Sequence, residues 1–314
     1  MRQDNGPLEP FDECLRARLK VELLKLESLR ASLSLSPELQ GPPAAGHGGG
    51  AAALLLEMIR MVVGERGDEA VLPRPIRIEV AFHHTLPLEI PLRAEVDRRD
   101  GVWQGRILHD DKPLIEAVVR PVPPLAPVGS DLRNRLGTAA SSLPVPRYEW
   151  CLACGRSNPR GAQLRFAYTE EVVWQSLTPP PGFRSRDGSV ALGYFCVVGD
   201  ELGWWLGALR QGECGLSSRL VVTLGHPVRF GTSLLAVGDR STVRSVNPKG
   251  RLWDTEAMIV TGDWKPVAKA EVRFAGSRAF SKTMLPGFIR EDEAAAVQQA
   301  FPRYADHLEE EPES

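Results

Sequence analysis

Three groups of residues in the 314-residue chain have types and spacings that could do chemistry. The first is His47-Gly48-Gly49-Gly50, where a turn containing Gln40-Gly41-Pro42-Pro43 runs into an apolar stretch. Glycines opening a helix leave backbone N–H groups unpaired at the positive end of the helix dipole, with no Cβ in the way. Such a turn can hold a carbonyl oxygen that gains negative charge during a reaction. It can equally be a flexible entry to a buried helix. The second group is Asp200-Glu201, inside the apolar run VALGYFCVVGDELGWWLGAL at 190–209. Acids are rarely buried without a partner or a task. A carboxylate beside a carbonyl carbon can activate water or attack directly; a salt bridge or a solvated helix end is the plainer alternative. The third group, Cys151-x-x-Cys154, is half of a metal site, which would need two more ligands. Cys196, Cys214 and His226 are available but unpaired in pattern, so no metal is expected. His83 and His84 are neighbours in a strand-like segment and should point to opposite faces, which disfavours a metal pair. The glycine turn is not followed by Gly-Lys-Ser/Thr, and Gly-x-Ser-x-Gly is absent. A phosphate-cradling loop and a serine nucleophile elbow are therefore disfavoured, and no cofactor is expected.

These groups must be held by the elements around them. Residues 11–33 carry leucines at 15, 19, 23, 26 and 29 between charges, which is helical spacing. Residues 51–63, AAALLLEMIRMVV, form a helix apolar nearly all round, which must be buried on nearly all sides. From about 74 to 120 short β-branched segments alternate with Pro or Arg-Asp-Gly breaks, a strand pattern. Residues 121–146 are Pro/Ser-rich and read as a connector. The same order then recurs: strand-like 163–177, an apolar helix at 190–209, and strands near 218–237, 239–247, 251–261 and 266–275. Lys112-Pro113 to Arg120 matches Lys265-Pro266 to Arg273 at a constant offset of 153, each preceded by a strand tryptophan, Trp103 and Trp253. The repeat predicts two copies of one α+β fold, each a buried helix against an antiparallel sheet. The expected division is an N-terminal helix at 1–35, a first domain at 36–121, a linker at 122–146, a second domain at 147–288 and a frayed charged tail at 289–314.

Composition narrows the function classes. With 43% apolar and 25% charged residues and a net charge of −2, the chain is an ordinary globular protein without a basic face for nucleic acid or an anionic membrane. Five scattered cysteines argue against a disulfide framework. No apolar run approaches a bilayer span and the first residues lack an apolar signal core, so a cytoplasmic protein is expected.

The motifs resemble the hotdog-fold acyl-CoA thioesterases of the phenylacetate-thioesterase (PaaI-like) kind. Residues 39–50, LQGPPAAGHGGG, are similar to the turn that enters the family's central helix. Residues 151–166, CLACGRSNPRGAQLRF, resemble the segment that opens many members. Residues 76–92 and 220–235 resemble the strand after the helix. The resemblance implies two fused hotdog domains that form the usual dimer within one chain, with further pairing as a homodimer open. It also implies an acid nine residues after the turn histidine. Leu56 holds that place in the first half, with Glu57 beside it, and Asp200 holds it in the second, where Ala191 replaces the histidine. Each half thus keeps what the other lost. The implied site is composite: Gln40, His47 and Gly48 from one half, Asp200 and Ser218 from the other, with Gly49, Glu57 and Glu201 as secondary candidates. The implied activity is hydrolysis of an acyl-CoA or acyl-carrier thioester. A non-catalytic acyl-thioester-binding or scaffold protein is the alternative. A hotdog dehydratase is a further one, weakened because neither central helix carries a histidine.

Overall fold

The computed structural model describes residues 9–64, 72–137, 141–247, 250–288 and 293–307. In the first half, a short helix α1 (Phe11–Ala17) leads into strands β1 (Leu19–Lys25) and β2 (Ser28–Leu33). The central helix α2 (Gly48–Gly64) follows, then β3 (Ile76–Phe82), β4 (Leu92–Arg99), β5 (Val102–His109) and β6 (Lys112–Pro121). The connector holds helix α3 (Ser130–Gly137) and β7 (Leu143–Pro144). The second half contains β8 (Ala167–Tyr168), β9 (Val172–Leu177), central helix α4 (Leu192–Gln211), β10 (Gly215–Leu224), β11 (Leu234–Asp239), β12 (Arg244–Ser245), β13 (Leu252–Thr261) and β14 (Pro266–Gly276). Helices α5 (Arg278–Phe288) and α6 (Ala294–Ala300) complete the described chain.

The strands form one antiparallel sheet in the order β1-β2-β4-β5-β6-β3-β10-β14-β13-β11-β9-β8-β7, with β12 beside β13. Its two halves match: β6-β3 answers β14-β10, and the outer pair β2-β4 answers β9-β11. The repeated Lys-Pro strands are β6 and β14, and each pairs with its tryptophan strand, Trp103 opposite Val119 and Trp253 opposite Phe274. The halves join where β3 pairs β10, from Arg219–Ala81 to Leu224–Ile76. Local chemistry sets the hairpins. Asp100 and Gly101 turn β4 into β5 with φ of 51° and 79°, the positive pair that a two-residue turn needs to match strand twist.

Each central helix lies on its own half of the sheet, α2 against β2–β5 and α4 against β9–β11, β13 and β14. The two helices also pack on each other with their N-terminal halves overlapping in opposite directions. The position a Gly49 Cβ would take lies 2.7 Å from Val197 Cα and closer still to the Cys196 carbonyl. A Gly193 Cβ would come within 2.8 Å of Ala53 Cβ. One continuous core runs through both halves, which explains helices buried nearly all round.

Two expectations are corrected. Residues 11–33 are not one helix: only 11–17 are helical, and the rest is the β1–β2 hairpin. The leucine spacing fitted 3.6, but β2 buries Leu29, Ala31 and Leu33 with period 2 while Leu26 sits exposed at the turn. The unpaired edge of β4 decided between these readings by hydrogen-bonding β2. The tail is not wholly frayed either. Val297, Phe301 and Tyr304 are buried, and the Phe301 ring lies 6.0 Å from that of Trp205; residues 289–292 and 308–314 lie outside the described chain. No described helix is long and apolar enough to cross a membrane.

Candidate active site

The entry to α2 is shaped by its turn. Gly41 N–H donates to the Ala45 carbonyl and His47 N–H to the Leu39 carbonyl, which folds 39–47 back on itself. The turn delivers Gly48 and Gly49 as the first helical residues, whose N–H groups no carbonyl of their own helix can reach. A carboxylate from the other half meets them. Asp200, on the third turn of α4, accepts from Gly49 N–H at 2.8 Å through Oδ2 and from Ser217 Oγ at 2.7 Å through Oδ1. It therefore caps α2 from 151 residues away in sequence and places negative charge at the positive helix end. Glycine at 48 leaves room for the carboxylate, since a Cβ there would lie 2.7 Å from Asp200 Oδ2 and push it aside.

His47 is buried beside it, with Nδ1 3.0 Å from Gly49 N and 3.4 Å from Asp200 Oδ2, and Nε2 3.6 Å from Glu201 Oε2. Trp205 Nε1 donates to the other Glu201 oxygen at 3.1 Å. Burial pushes the Asp200 carboxyl above its ordinary range, against the pull of His47, the Ser217 hydroxyl and the Gly49 amide. Burial acts to lower His47, but hydrogen bonds with Cys151 and Glu201 and the charge of Asp200 outweigh it and raise the imidazole well above its ordinary value. The Cys154 thiol, hydrogen-bonded to the Cys151 sulfur, is the largest cause holding Cys151 below the ordinary thiol value, and His47 adds to it.

These groups line a cavity of about 280 Å³. Phe82, Leu86, Tyr148, Trp204, Leu216 and Met284 give it apolar walls, while Asp200, Ser217, Ser218, His47 and Glu201 are among its polar groups, with Cys151 and Cys154 beside them. An apolar cleft with a few convergent polar groups is the usual form of a small-molecule site.

The sequence candidates divide accordingly. His47, Gly48, Gly49, Asp200 and Glu201 are brought together. Gln40 stands behind the turn, where its carbonyl accepts from Leu152 N–H at 2.6 Å, and it does not line the cavity. The serine that meets Asp200 is Ser217 rather than Ser218, whose Oγ donates to the Arg273 carbonyl at 3.1 Å. The register of β10 against β14 shifts between Ser217 and Arg219, and this bulge turns the earlier serine toward α4. Residues 151–154 form a turn and bring both thiols to the cavity. His83 and His84 follow the end of β3 and both line the cavity rather than opposite faces of a strand; His83 Nε2 is 2.8 Å from Glu116 Oε2. Trp204 is a cavity wall.

The equivalent place in the other half is closed. Leu56, Ala53, Leu192 and Gly193 surround a void of only about 10 Å³. Phe11 of α1 fills the remainder, its ring 2.7 Å from where a Gly193 Cβ would stand. Glu57 is turned aside into a buried network: it bonds Arg16 and, at 3.0 Å, Arg60, which reaches Asp12 at 3.0 Å.

No family model and no curated protein sequence matches the chain. Solved structures do. The chain is similar to the tesB protein of Mycobacterium avium subspecies paratuberculosis, at 15% identity and a TM-score of 0.53, with 84% of this chain and 99% of that one covered. It is similar to a conserved protein of unknown function with hot dog fold from Alicyclobacillus acidocaldarius, at 13% identity and a TM-score of 0.52, covering 85% and 97%. It is also similar to the dehydratase domain of PpsC from Mycobacterium tuberculosis in complex with C12:1-CoA, at 17% identity and a TM-score of 0.51, covering 80% and 94%. Two central helices on one shared antiparallel sheet, matched over nearly the full length of these structures, make this chain a tandem hotdog fold.

Proposed function

We propose that the chain hydrolyses an acyl thioester, an acyl-CoA or acyl-carrier substrate as in PaaI-like enzymes, at this single composite cavity. The observation that carries the reading is the Asp200 carboxylate of one half bonded to the α2 N-terminus of the other, at the wall of an apolar cavity. The thioester carbonyl oxygen would lie at the start of α2, where the Gly48 N–H and the helix dipole favour developing negative charge. Asp200 accepts two hydrogen bonds, which leaves lone pairs for a water molecule. Asp200 takes a proton from that water as its oxygen bonds to the carbonyl carbon. The C–S bond then breaks, its electron pair leaves with sulfur, and the proton passes to the thiolate. The products are a carboxylic acid and a free thiol.

A second reading has an observation of its own. His47 and Asp200 meet across the halves at 3.4 Å, a pair that could move a proton beside a thioester as a dehydratase does. Hydrolysis is the better reading because both His47 ring nitrogens face protein groups, while Asp200 keeps lone pairs beyond its two hydrogen bonds. The test is chromatography of the products that the purified chain forms from a panel of acyl-CoAs and from a 2-enoyl-CoA. Free CoA is expected, with Asp200→Asn lowering its rate by about 10²–10⁴, the usual worth of a general base. Hydration of the enoyl-CoA without CoA release would establish the dehydratase. Tight binding with no reaction would establish a non-catalytic acyl-thioester binder.

A further inference from the structure

Four ionisable side chains from three separate segments converge at the floor of the cavity. His47 comes from the turn before α2, Glu201 from α4, and Cys151 and Cys154 from the turn at 151–154. One ligand atom each of His47, Cys151 and Glu201 lie within 4.8 Å of one another, and the Cys154 thiol is hydrogen-bonded to the Cys151 sulfur. All four residues are at most 9% exposed. Burying so many ionisable groups together is costly unless they are paired or hold a metal.

The surroundings are those of a metal-holding turn. Ala153 N–H points at the Cys151 sulfur at 3.3 Å, a contact that favours a thiolate, and Gly155 N–H closes the turn on the Cys151 carbonyl at 2.9 Å. Gly155 must be glycine, since a Cβ would lie 2.5 Å from Cys151 N. The outer contacts are also present. Glu201 is steered by Trp205 through one oxygen, and its other oxygen faces His47 Nε2 at 3.6 Å. His47 Nδ1 accepts from Gly49 N–H at 3.0 Å and lies 3.4 Å from Asp200 Oδ2; with Nε2 on a metal, Nδ1 would carry the proton and turn it to Asp200, the carboxylate partner that a metal-bound imidazole ordinarily has. Zinc bonds of about 2.3 Å to sulfur and about 2.0–2.2 Å to nitrogen and oxygen place tetrahedral ligands roughly 3.3–3.8 Å apart. The 3.6 Å between His47 Nε2 and Glu201 Oε2 already fits; His47, Cys151 and Glu201 would draw together from within 4.8 Å, and Cys154, outside that trio, would swing in from the same turn.

We infer that His47, Cys151, Cys154 and Glu201 form a tetrahedral zinc site. Four protein ligands make it a closed, structural site. It would tie the 151–154 turn and α4 to the entry of α2, and make His47 a positioning residue that orients Asp200. This goes beyond hydrolysis and stands or falls separately from it. The experiment uses the full chain, purified in reductant without chelator, with metal content read by mass spectrometry and Co²⁺ added to metal-stripped protein. About one equivalent of zinc is expected, and Co²⁺ should give thiolate charge-transfer bands and the visible bands of a tetrahedral site. Cys151→Ser and Cys154→Ser should each lower the zinc content to below about a tenth of that value. Asp200→Asn should keep it, even if hydrolysis is lost. Folded, reduced wild-type protein that retains no zinc and gives no thiolate–cobalt bands overturns the site. So does full zinc content in the Cys151→Ser, Cys154→Ser double variant. The cobalt spectrum of the wild type decides the question if the variants do not fold.

Discussion

At the residue scale, the two central helices carry acids with opposite fates one residue apart in alignment. Asp200 reaches the helix entry of the other half, while Glu57 follows the leucine that holds the equivalent place and is rotated about 100° from it. Glu57 bonds Arg16 and Arg60 instead. Glu57→Gln should therefore leave thioester hydrolysis within a few-fold of wild type, which the CoA-release assay reads directly. Its effect on stability depends on pH. Burial raises Glu57 above its ordinary value of 4.5, against the pull of Arg60 and Arg16. A carboxyl with a higher pKa folded than unfolded favours the fold while protonated, and this contribution is lost as pH rises from the ordinary value through the raised one. Urea midpoints of wild type and Glu57→Gln, compared from about pH 4 to about pH 8, should show wild type losing ground, by at most about 1.4 kcal/mol per unit. Parallel profiles would mean that Glu57 does not titrate in that window.

At the element scale, the site depends on how closely α2 and α4 approach. Glycine at 49 removes the only side chain that would stand between its backbone and residues 196–197 of the facing helix. That approach brings Asp200 within hydrogen-bonding distance of the Gly49 amide. Gly49→Ala meets backbone atoms, which cannot rotate away, and should destabilise by about 1–3 kcal/mol, as overpacked cores do. It should also cost activity by spreading the helices. Gly182→Ala, whose Cβ meets open space, serves as the control. Thermal unfolding of the two variants makes the comparison, and equal melting temperatures would refute the close-contact account. The same logic explains why the second site is closed: with Leu56 in the acid position, the space is apolar and Phe11 fills it.

At the scale of the whole molecule, the Pro/Ser-rich connector is a change of half but not a break in the fold. The sheet continues through β3 and β10, and the core crosses between α2 and α4. Arg135 of α3 also ties the connector to Asp239 at 3.0 Å. Cleavage within 122–146 should therefore leave a nicked protein that elutes as one species in native buffer and separates only in denaturant. Two fragments separating without denaturant would show that the central strand pair does not hold the halves together. Hydrolysis should survive the nick, since no proposed catalytic group lies in that segment.

What the sequence determined by itself is what short-range chemistry determines. Helices apolar on all sides announce burial, the repeated Lys-Pro strands announce duplication, and the glycine turn and the Asp-Glu pair stand out as residue types that a plain core would not choose. Tertiary structure decided the rest, because the deciding partners are far away in sequence. The β1–β2 hairpin took its conformation from the edge of β4 against a leucine spacing that fitted a helix. Ser217 replaced Ser218 beside Asp200 because of a bulge set by pairing with β14. Cys151 and Cys154 are only half a pattern in one dimension. The groups that come within 4.8 Å of the Cys151 sulfur, His47 and Glu201, arrive from both sides of the connector once the halves share a sheet and the two central helices touch.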